Sequence, residues 1–144
     1  KDTDDPRFSH GHGLRLNKRA IHAYAQSMME KYDVRATSDS QSVRELSGGN
    51  QQKVIIAREL ESGPSVLVMA HPTRGLDIGA TSFVHDQMIA ARARGVGILL
   101  ISADFDEILE MSDRIVVCFE GRIMGEFSGS KPPINEISLA MTGK

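Results

Sequence analysis

Eight consecutive residues, Leu46 to Lys53, constrain this chain more than any other segment. They read LSGGNQQK and lead into a run in which apolar residues recur at helical spacing. The hydroxyl of Ser47 can cap the helix, while Gly48 and Gly49 leave its first N–H groups uncovered. Because a helix N-terminus carries partial positive charge, this pattern predicts a bound anion such as a phosphate. An ordinary serine cap followed by flexible glycines is the alternative interpretation of Ser-Gly-Gly alone.

Composition places the chain among globular proteins. Its 144 residues suffice for one ordinary domain, and 40% hydrophobic with 25% charged residues is a globular balance. The net charge of −2 gives no general attraction to nucleic acid or anionic lipid. No apolar run approaches the length of a membrane span, so we expect any membrane role to depend on a partner. Cys118 lies in an apolar strand, and we interpret it as a buried structural thiol in a cytoplasmic protein.

Periodicity and turn signals predict helices that alternate with strands. Helices are expected over about 18–32, capped by Asn17, over about 48–61, and after Asp77 to near Gly95. Two more are expected, one to Met111, where Asp104 and Glu107 make a capping box, and one over about 133–141. Strands are expected at 66–69, 97–102, 114–119 and 122–127, with a hairpin turn at Glu120-Gly121 between the last two. This alternation indicates an α/β fold with a mostly parallel sheet and flanking helices. The unbroken apolar run 66–69 predicts a strand covered on both faces.

The chain divides into four predicted parts. These are a flexible arm at 1–16, a helical subdomain with LSGGNQQK at 17–62, an α/β core at 63–130, and a C-terminal helix and tail at 131–144. Within the arm, His10-Gly11-His12 has a spacing that could hold a metal ion. No further ligand lies near it in the sequence, so we predict no metal site.

Four segments, in order, resemble the ATPase domains of ABC transporters. LSGGNQQK resembles the signature motif, and VLVMAHPTRGLDIGA at 66–80 resembles the Walker B strand and D-loop. ILLISAD at 98–104 resembles the strand that leads to the switch histidine, and SDRIVVCFEGRIMGE at 112–126 resembles the closing strand and hairpin. Asn50, in place of the usual glutamine, and the Pro72–Gly75 turn are similar to ATPases that energise importers of simple sugars and nucleosides.

The resemblance implies a P-loop NTPase fold of which this chain carries the C-terminal portion. A P-loop requires Gly, four residues, and then Gly-Lys-Ser/Thr. The only Gly-Lys pair is Gly143-Lys144, where that pattern is not met. We therefore expect a fragment of a nucleotide-binding domain in which the P-loop half is absent.

Three positions depart from the pattern of the family. The Walker B strand of that family ends in Asp-Glu, which holds magnesium and polarises the attacking water, but Ala70 and His71 stand here. The switch histidine aligns with Ala103. We therefore expect no intact catalytic group, no metal ligand set and an inactive isolated fragment.

The signature and the D-loop are retained, which implies a role in trans. Members of the family pair two nucleotide-binding domains head to tail, so that the signature of one domain faces the ATP held by the other. The resemblance assigns nucleotide binding in trans to Ser47, Gly48, Gly49 and Gln51, and the D-loop position to Asp77. A helix N-cap is an equally good interpretation of Asp77.

The full-length protein implied by the resemblance is an ATPase that uses ATP and Mg²⁺ to drive uptake of a simple sugar or nucleoside. Its partners would be the first nucleotide-binding domain of the same chain, membrane-spanning permease subunits and, indirectly, an extracellular or periplasmic solute-binding protein, with no nucleic acid. The protein would lie at the cytoplasmic face of the plasma (inner) membrane as a peripheral subunit.

Two other interpretations stay open. A catalytically inert module could use the same fold only to interact or dimerise, and the residues at 70, 71 and 103 favour it for the isolated chain. A soluble ABC-type ATPase of DNA repair or translation would need coiled-coil or basic insertions, which this sequence lacks.

Overall fold

The computed structural model describes residues 8–10, 15–128 and 132–143. Its helices and strands are β1 Ser9–His10, β2 Arg15–Leu16, α1 Lys18–Lys31, α2 Gly48–Glu61, β3 Val66–Ala70, α3 Ile78–Ala93, β4 Gly97–Ile101, α4 Phe105–Met111, β5 Arg114–Phe119, β6 Arg122–Ser128 and α5 Ile134–Ala140, with a 3-10 turn at Val43–Glu45. Every helix predicted from periodicity is confirmed, and so are the strands β3 to β6, with bounds that agree to within about two residues. The 3-10 turn and the short β1–β2 pair were not predicted.

Side-chain caps fix where four of the helices begin. Asn17, Ser47, Asp77 and Asp104 each accept a hydrogen bond from a backbone N–H in the first turn that follows. The forward contact of the capping box expected at α4 is present. Asp104 accepts from the N–H of Glu107 at 3.2 Å, whereas its own N–H donates to Ser102 Oγ at 3.0 Å.

The strands form three two-stranded pairs, β1–β2, β3–β4 and β5–β6. The first and last pairs are antiparallel, and the turn of the β5–β6 hairpin is the predicted Glu120-Gly121, with φ of 45° and 76°. The α/β class is confirmed. The described strands form separate pairs, and the single mostly parallel sheet that was predicted is not seen among them. The two-residue turn makes β5 and β6 antiparallel.

The chain separates into two compact units. The first runs to Leu67 and adds Thr73–Gly97, and the second joins Val68–Pro72 to the residues from Ile98 onward. In the first unit α2 packs against α3 through buried apolar residues, namely Ile56, Ala57, Leu60, Ala80, Val84, Met88 and Ala91. In the second unit the core consists of Ile115, Val117, Ile137 and Ala140, flanked by Phe105, Ile108, Leu109 and Phe127.

Two predicted burials are wrong. The strand β3 is covered on one side only, since Leu67 and Met69 are buried while Val66 and Val68 are 63% and 60% exposed. Cys118 is exposed instead of buried. Successive side chains of a strand point to opposite faces, and Cys118 follows the buried Val117.

Part of the predicted arm lies against α1. Asn17 donates its N–H to the Phe8 carbonyl at 2.7 Å, and the Phe8 ring lies 5.0 Å from the Tyr24 ring. Gly11 and His12 of the metal spacing considered above lie outside the described residues. The division of the chain at residues 16, 62 and 130 stays a prediction.

None of the helices that the structure describes combines the length and the apolar character needed to cross a membrane.

Candidate functional site

The signature loop ends in Ser47, which is the N-cap of α2. Its extended backbone (φ −59°, ψ 155°) turns the side chain back over the helix, and Oγ accepts from the N–H of Asn50 at 3.4 Å. Ser47 and Gly48 are exposed to solvent. Among the described residues, the N–H groups of Gly48 and Gly49 donate to no acceptor. The start of α2 therefore offers two backbone donors and a hydroxyl on an open surface.

The two glycines of the signature have different surroundings. A Cβ placed on Gly49 would lie 3.0 Å from Cβ of Ala80, a tighter contact than most Cβ atoms make, so the packing of α2 on α3 favours glycine there. A Cβ placed on Gly48 would meet nothing within 4 Å. Packing therefore explains the glycine at 49 and leaves the glycine at 48 to be explained by what approaches the loop from outside.

Side-chain amides hold the loop in place. Asn50 Oδ1 accepts from the N–H of Arg35 at 2.8 Å, and Asn50 Nδ2 donates to Ser47 Oγ at 3.0 Å. Gln51 Nε2 donates to the carbonyl of Leu46 at 2.8 Å. These contacts fix both sides of Ser47, so the hydroxyl has a defined position before any ligand arrives.

Lys53 anchors the first turns of α2 from the other side. Its Nζ donates to the carbonyl of Asp33 at 2.8 Å and lies 2.6 Å from Asp33 Oδ2, and it also lies 4.9 Å from the centre of the Phe83 ring. The hydrogen bond from Lys53 holds the pKa of Asp33 below its usual value. The lysine charge is therefore engaged within this unit, and the open donors are those of the loop.

The N-termini of α2 and α3 lie side by side. The contact between Gly49 and Ala80 joins their first turns, and Asp77 Oδ1 accepts from the N–H of Ala80 at 2.8 Å. The N-cap interpretation of Asp77 is confirmed. Because the carboxylate of Asp77 offsets the positive end of α3, the end that is open to an external anion is that of α2.

An open cleft of about 360 Å³ borders Ser47. It is lined by Arg35, Ala36, Thr37, Gln41, Glu45, Leu46, Ser47 and Asn50. The cleft places mostly polar side chains beside the serine.

The three altered catalytic positions lie in the second unit, at the ends of paired strands. Ala70 ends β3, and the N–H of His71 donates to the carbonyl of Ile101 at 2.7 Å, two residues before Ala103. His71 is exposed and has φ of 51°, a left-handed conformation uncommon outside glycine. The structure brings these positions together at one end of the β3–β4 pair. The side chains of Ala70 and Ala103 carry no polar atom, so the His71 ring is the one polar side-chain group at these three positions.

Within the described part of the chain, no three His, Cys, Asp or Glu side chains are grouped closely enough to hold a metal ion.

Sequence reasoning missed the main contact of the site. It treated Asn50 as a variant of the usual glutamine and assigned no role to Arg35. The partner of the amide is the backbone of a loop 15 residues away, so no local pattern indicates it. The amide of Gln51 contacts the loop at Leu46, while its part in nucleotide binding stays a prediction.

Comparison with known proteins gives a consistent result. No protein-family model matches the chain. Over 128 residues it is 44% identical to the nucleoside import ATP-binding protein NupA of Lactococcus lactis and to the guanosine import ATP-binding protein NupO of Bacillus subtilis, a match that covers 89% of this chain. It is 40% identical over 132 residues to the ribose import ATP-binding protein RbsA of Lacticaseibacillus paracasei. The chain spans about a quarter of the length of these relatives.

Solved structures give the same fold. The chain superposes on MJ1267, an ATP-binding cassette of an ABC transporter, with a TM-score of 0.65 and 27% identity, covering 86% of this chain and 47% of that one. A nucleotide-free cassette from an ABC transporter gives a TM-score of 0.67 with 25% identity, covering 90% and 49%. These matches and the four ordered motifs agree, and the chain belongs to the family of ABC ATP-binding proteins.

Proposed function

We propose that this chain is the C-terminal part of the second nucleotide-binding domain of an importer's ATP-binding subunit. The full-length protein would couple ATP binding and hydrolysis to uptake of a simple sugar or nucleoside. Its relatives are named as nucleoside, guanosine and ribose import proteins, which supports this solute class. The four motifs in their order support the position within the cassette.

The positive task of this domain is to bind, in trans, the terminal phosphate of ATP held by another cassette. Ser47 Oγ and the N–H groups of Gly48 and Gly49 would supply the hydrogen bonds, with Gln51 fixing the loop. The observation that carries the proposal is the exposed start of α2, where these donors have no acceptor among the described residues. Asp77, at the adjacent start of α3, would lie across the interface near the site of the partner cassette.

The domain's own catalytic positions do not fit the chemistry of hydrolysis. Magnesium prefers carboxylate and water oxygens, and the side chain of Ala70 offers none. The methyl group of Ala103 cannot contact a phosphate as a histidine does. We therefore derive no step through Mg²⁺ in this domain and assign its coordination, and the polarisation of water, to the first nucleotide-binding domain of the same chain.

The remaining partners follow from the importer role. Membrane-spanning permease subunits would receive the conformational change, with α1 and the loop after it as the contact surface. A solute-binding protein would act on the other side of the membrane. The ATP-binding subunit would then lie peripherally at the cytoplasmic face of the plasma (inner) membrane.

ATP turnover by the full-length protein tests the assignment of roles. Ser47→Arg places a large cation on the phosphate surface, so we expect turnover to fall on the order of a hundredfold or more. His71→Ala, the matched variant at the altered Walker B position, is expected to leave turnover within about twofold of the unmodified protein.

The opposite result would reject the proposal. If His71→Ala is the damaging change, the altered site is catalytic and the roles are reversed. If neither variant changes turnover, and ATP does not promote association of the two domains, the inert interaction module is the better description.

A further inference from the structure

We propose that Asn50 is a positioning residue that makes the Ser47 hydroxyl a pure hydrogen-bond donor toward phosphate. This inference rests on the proposed function, because it concerns how the signature serine meets the anion. Asn50 would act through Ser47 and would not itself contact the ligand.

The orientation of the Asn50 amide follows from its neighbours. The N–H of Arg35 lies 2.8 Å from one end of the amide, and a backbone N–H can only donate. That end must therefore be the oxygen Oδ1. The other end, Nδ2, then faces Ser47 Oγ at 3.0 Å and must donate to it, because an amide nitrogen accepts no hydrogen bond.

The hydroxyl of Ser47 can therefore form only one further hydrogen bond, in which it is the donor. A serine oxygen accepts at most two hydrogen bonds and donates one. Both acceptor positions of Oγ are used, one by Asn50 Nδ2 at 3.0 Å and one by the N–H of Asn50 at 3.4 Å. No acceptor for its proton is present in the part of the chain that the structure describes. The proton is therefore directed away from Asn50, where the surface at Gly48 is open.

This polarity matters for the ligand. The oxygens of an ionised phosphate accept hydrogen bonds, so a hydroxyl that turned its lone pairs outward would repel the anion. Holding the proton outward before binding also removes the cost of ordering a freely rotating hydroxyl. A carboxylate at position 50 would reverse the arrangement, since it accepts from Ser47 Oγ and draws the proton inward.

A double-mutant cycle in the full-length protein tests this. Asn50→Asp keeps the size of the side chain and the acceptor for the N–H of Arg35 but removes the donor to Ser47. We expect kcat/KM for ATP to fall about tenfold, the scale of one hydrogen bond to a charged group. Ser47→Ala alone should cause a similar loss. In the Ser47→Ala background, Asn50→Asp should cause less than about a twofold further change.

Controls separate positioning from charge and from folding. Asn135→Asp makes the same chemical change at an exposed position of α5 and should leave kcat/KM unaltered. If Asn50→Asp is as damaging without the Ser47 hydroxyl as with it, repulsion of the phosphate explains the loss and the positioning role is overturned. Asn50→Ala, which adds no charge, repeats the cycle in case the aspartate variant fails to fold, and additive losses there would also overturn the role.

The two proposals fail in distinguishable ways. If Ser47→Ala and Ser47→Arg both leave turnover unaltered, the binding role of the signature fails and the positioning role fails with it. If the serine variants are damaging but the Asn50 and Ser47 effects are additive, only the positioning role fails.

Discussion

Single residues fasten the ends of α1 and α2 together. Glu61 Oε1 accepts from the hydroxyl of Tyr32 at 2.7 Å and from Lys31 Nζ at 2.6 Å. Tyr32 is buried, and burial together with its bond to Glu61 raises the pKa of its hydroxyl above the usual value. The hydrogen bonds from Lys31 and Tyr32 hold the pKa of Glu61 below its usual value. A charged Glu61 therefore stabilises the fold more than a protonated one does.

The contacts of Glu61 predict how the free energy of unfolding depends on pH. Because the pKa of Glu61 is lower in the folded than in the unfolded chain, its contribution is present above about pH 4.5 and is lost as pH falls through the folded pKa. Glu61→Gln should lower the urea midpoint at about pH 7 and flatten its decline toward about pH 3. Glu59→Gln, on the same helix and away from Tyr32, should leave that decline as it is. An unaltered acid decline in Glu61→Gln would contradict the assignment.

At the level of secondary-structure elements, the close packing of α2 on α3 is favoured by the absence of a side chain at Gly49. Gly49 lets the first turn of α2 approach Ala80 of α3, and the contact of Lys53 with Phe83 adds a second connection between the same helices. The phosphate surface begins at Gly48, one residue earlier. Gly49 therefore serves the packing of the helices, and Gly48 serves the candidate site.

Replacing each glycine with alanine in turn distinguishes the packing role from the binding role. Both replacements gain helix propensity, but only Gly49→Ala must displace Ala80. We expect Gly49→Ala to be less stable than Gly48→Ala by about 1 to 2 kcal/mol, measured by urea unfolding. Adding Ala80→Gly should restore part of that loss. If Gly48→Ala folds normally but lowers ATP turnover, the methyl group acts on the ligand, whereas equal stability of both variants would exclude the packing role of Gly49.

At the scale of the whole molecule, apolar strand residues are left uncovered. Val68, Leu99 and Ile101 are 60%, 54% and 46% exposed in the second unit. The chain spans about half the length of the solved cassettes that it matches. Exposed apolar residues on paired strands favour association with other protein surface.

We therefore expect the 144-residue chain to self-associate. Its sedimentation coefficient should rise with concentration, because burial of these side chains removes apolar surface from water. Val68→Thr combined with Leu99→Thr should weaken the dependence, because both changes replace an exposed apolar side chain with a more polar one of high strand propensity. A strict monomer at high concentration would contradict the prediction.

Local chemistry made much of the fold predictable. The bounds of α1 and α2, the caps Asn17 and Asp77, and the Glu120-Gly121 turn were predicted, because each depends on residues a few positions apart. The family followed from motifs of the same local kind. Burial was less predictable, since an apolar run shows that a strand can be covered and does not show that a covering element is present, as Val68 illustrates.

The helix start at Ser47 and its uncovered N–H donors could be read from the residues next to them. That Gly49 packs on α3 while Gly48 is open, and that Asn50 links Ser47 to the backbone of Arg35, became known only from the fold. The difference lies in distance along the chain. A cap is satisfied within one helical turn, whereas these contacts join segments whose approach is set by the packing of whole elements.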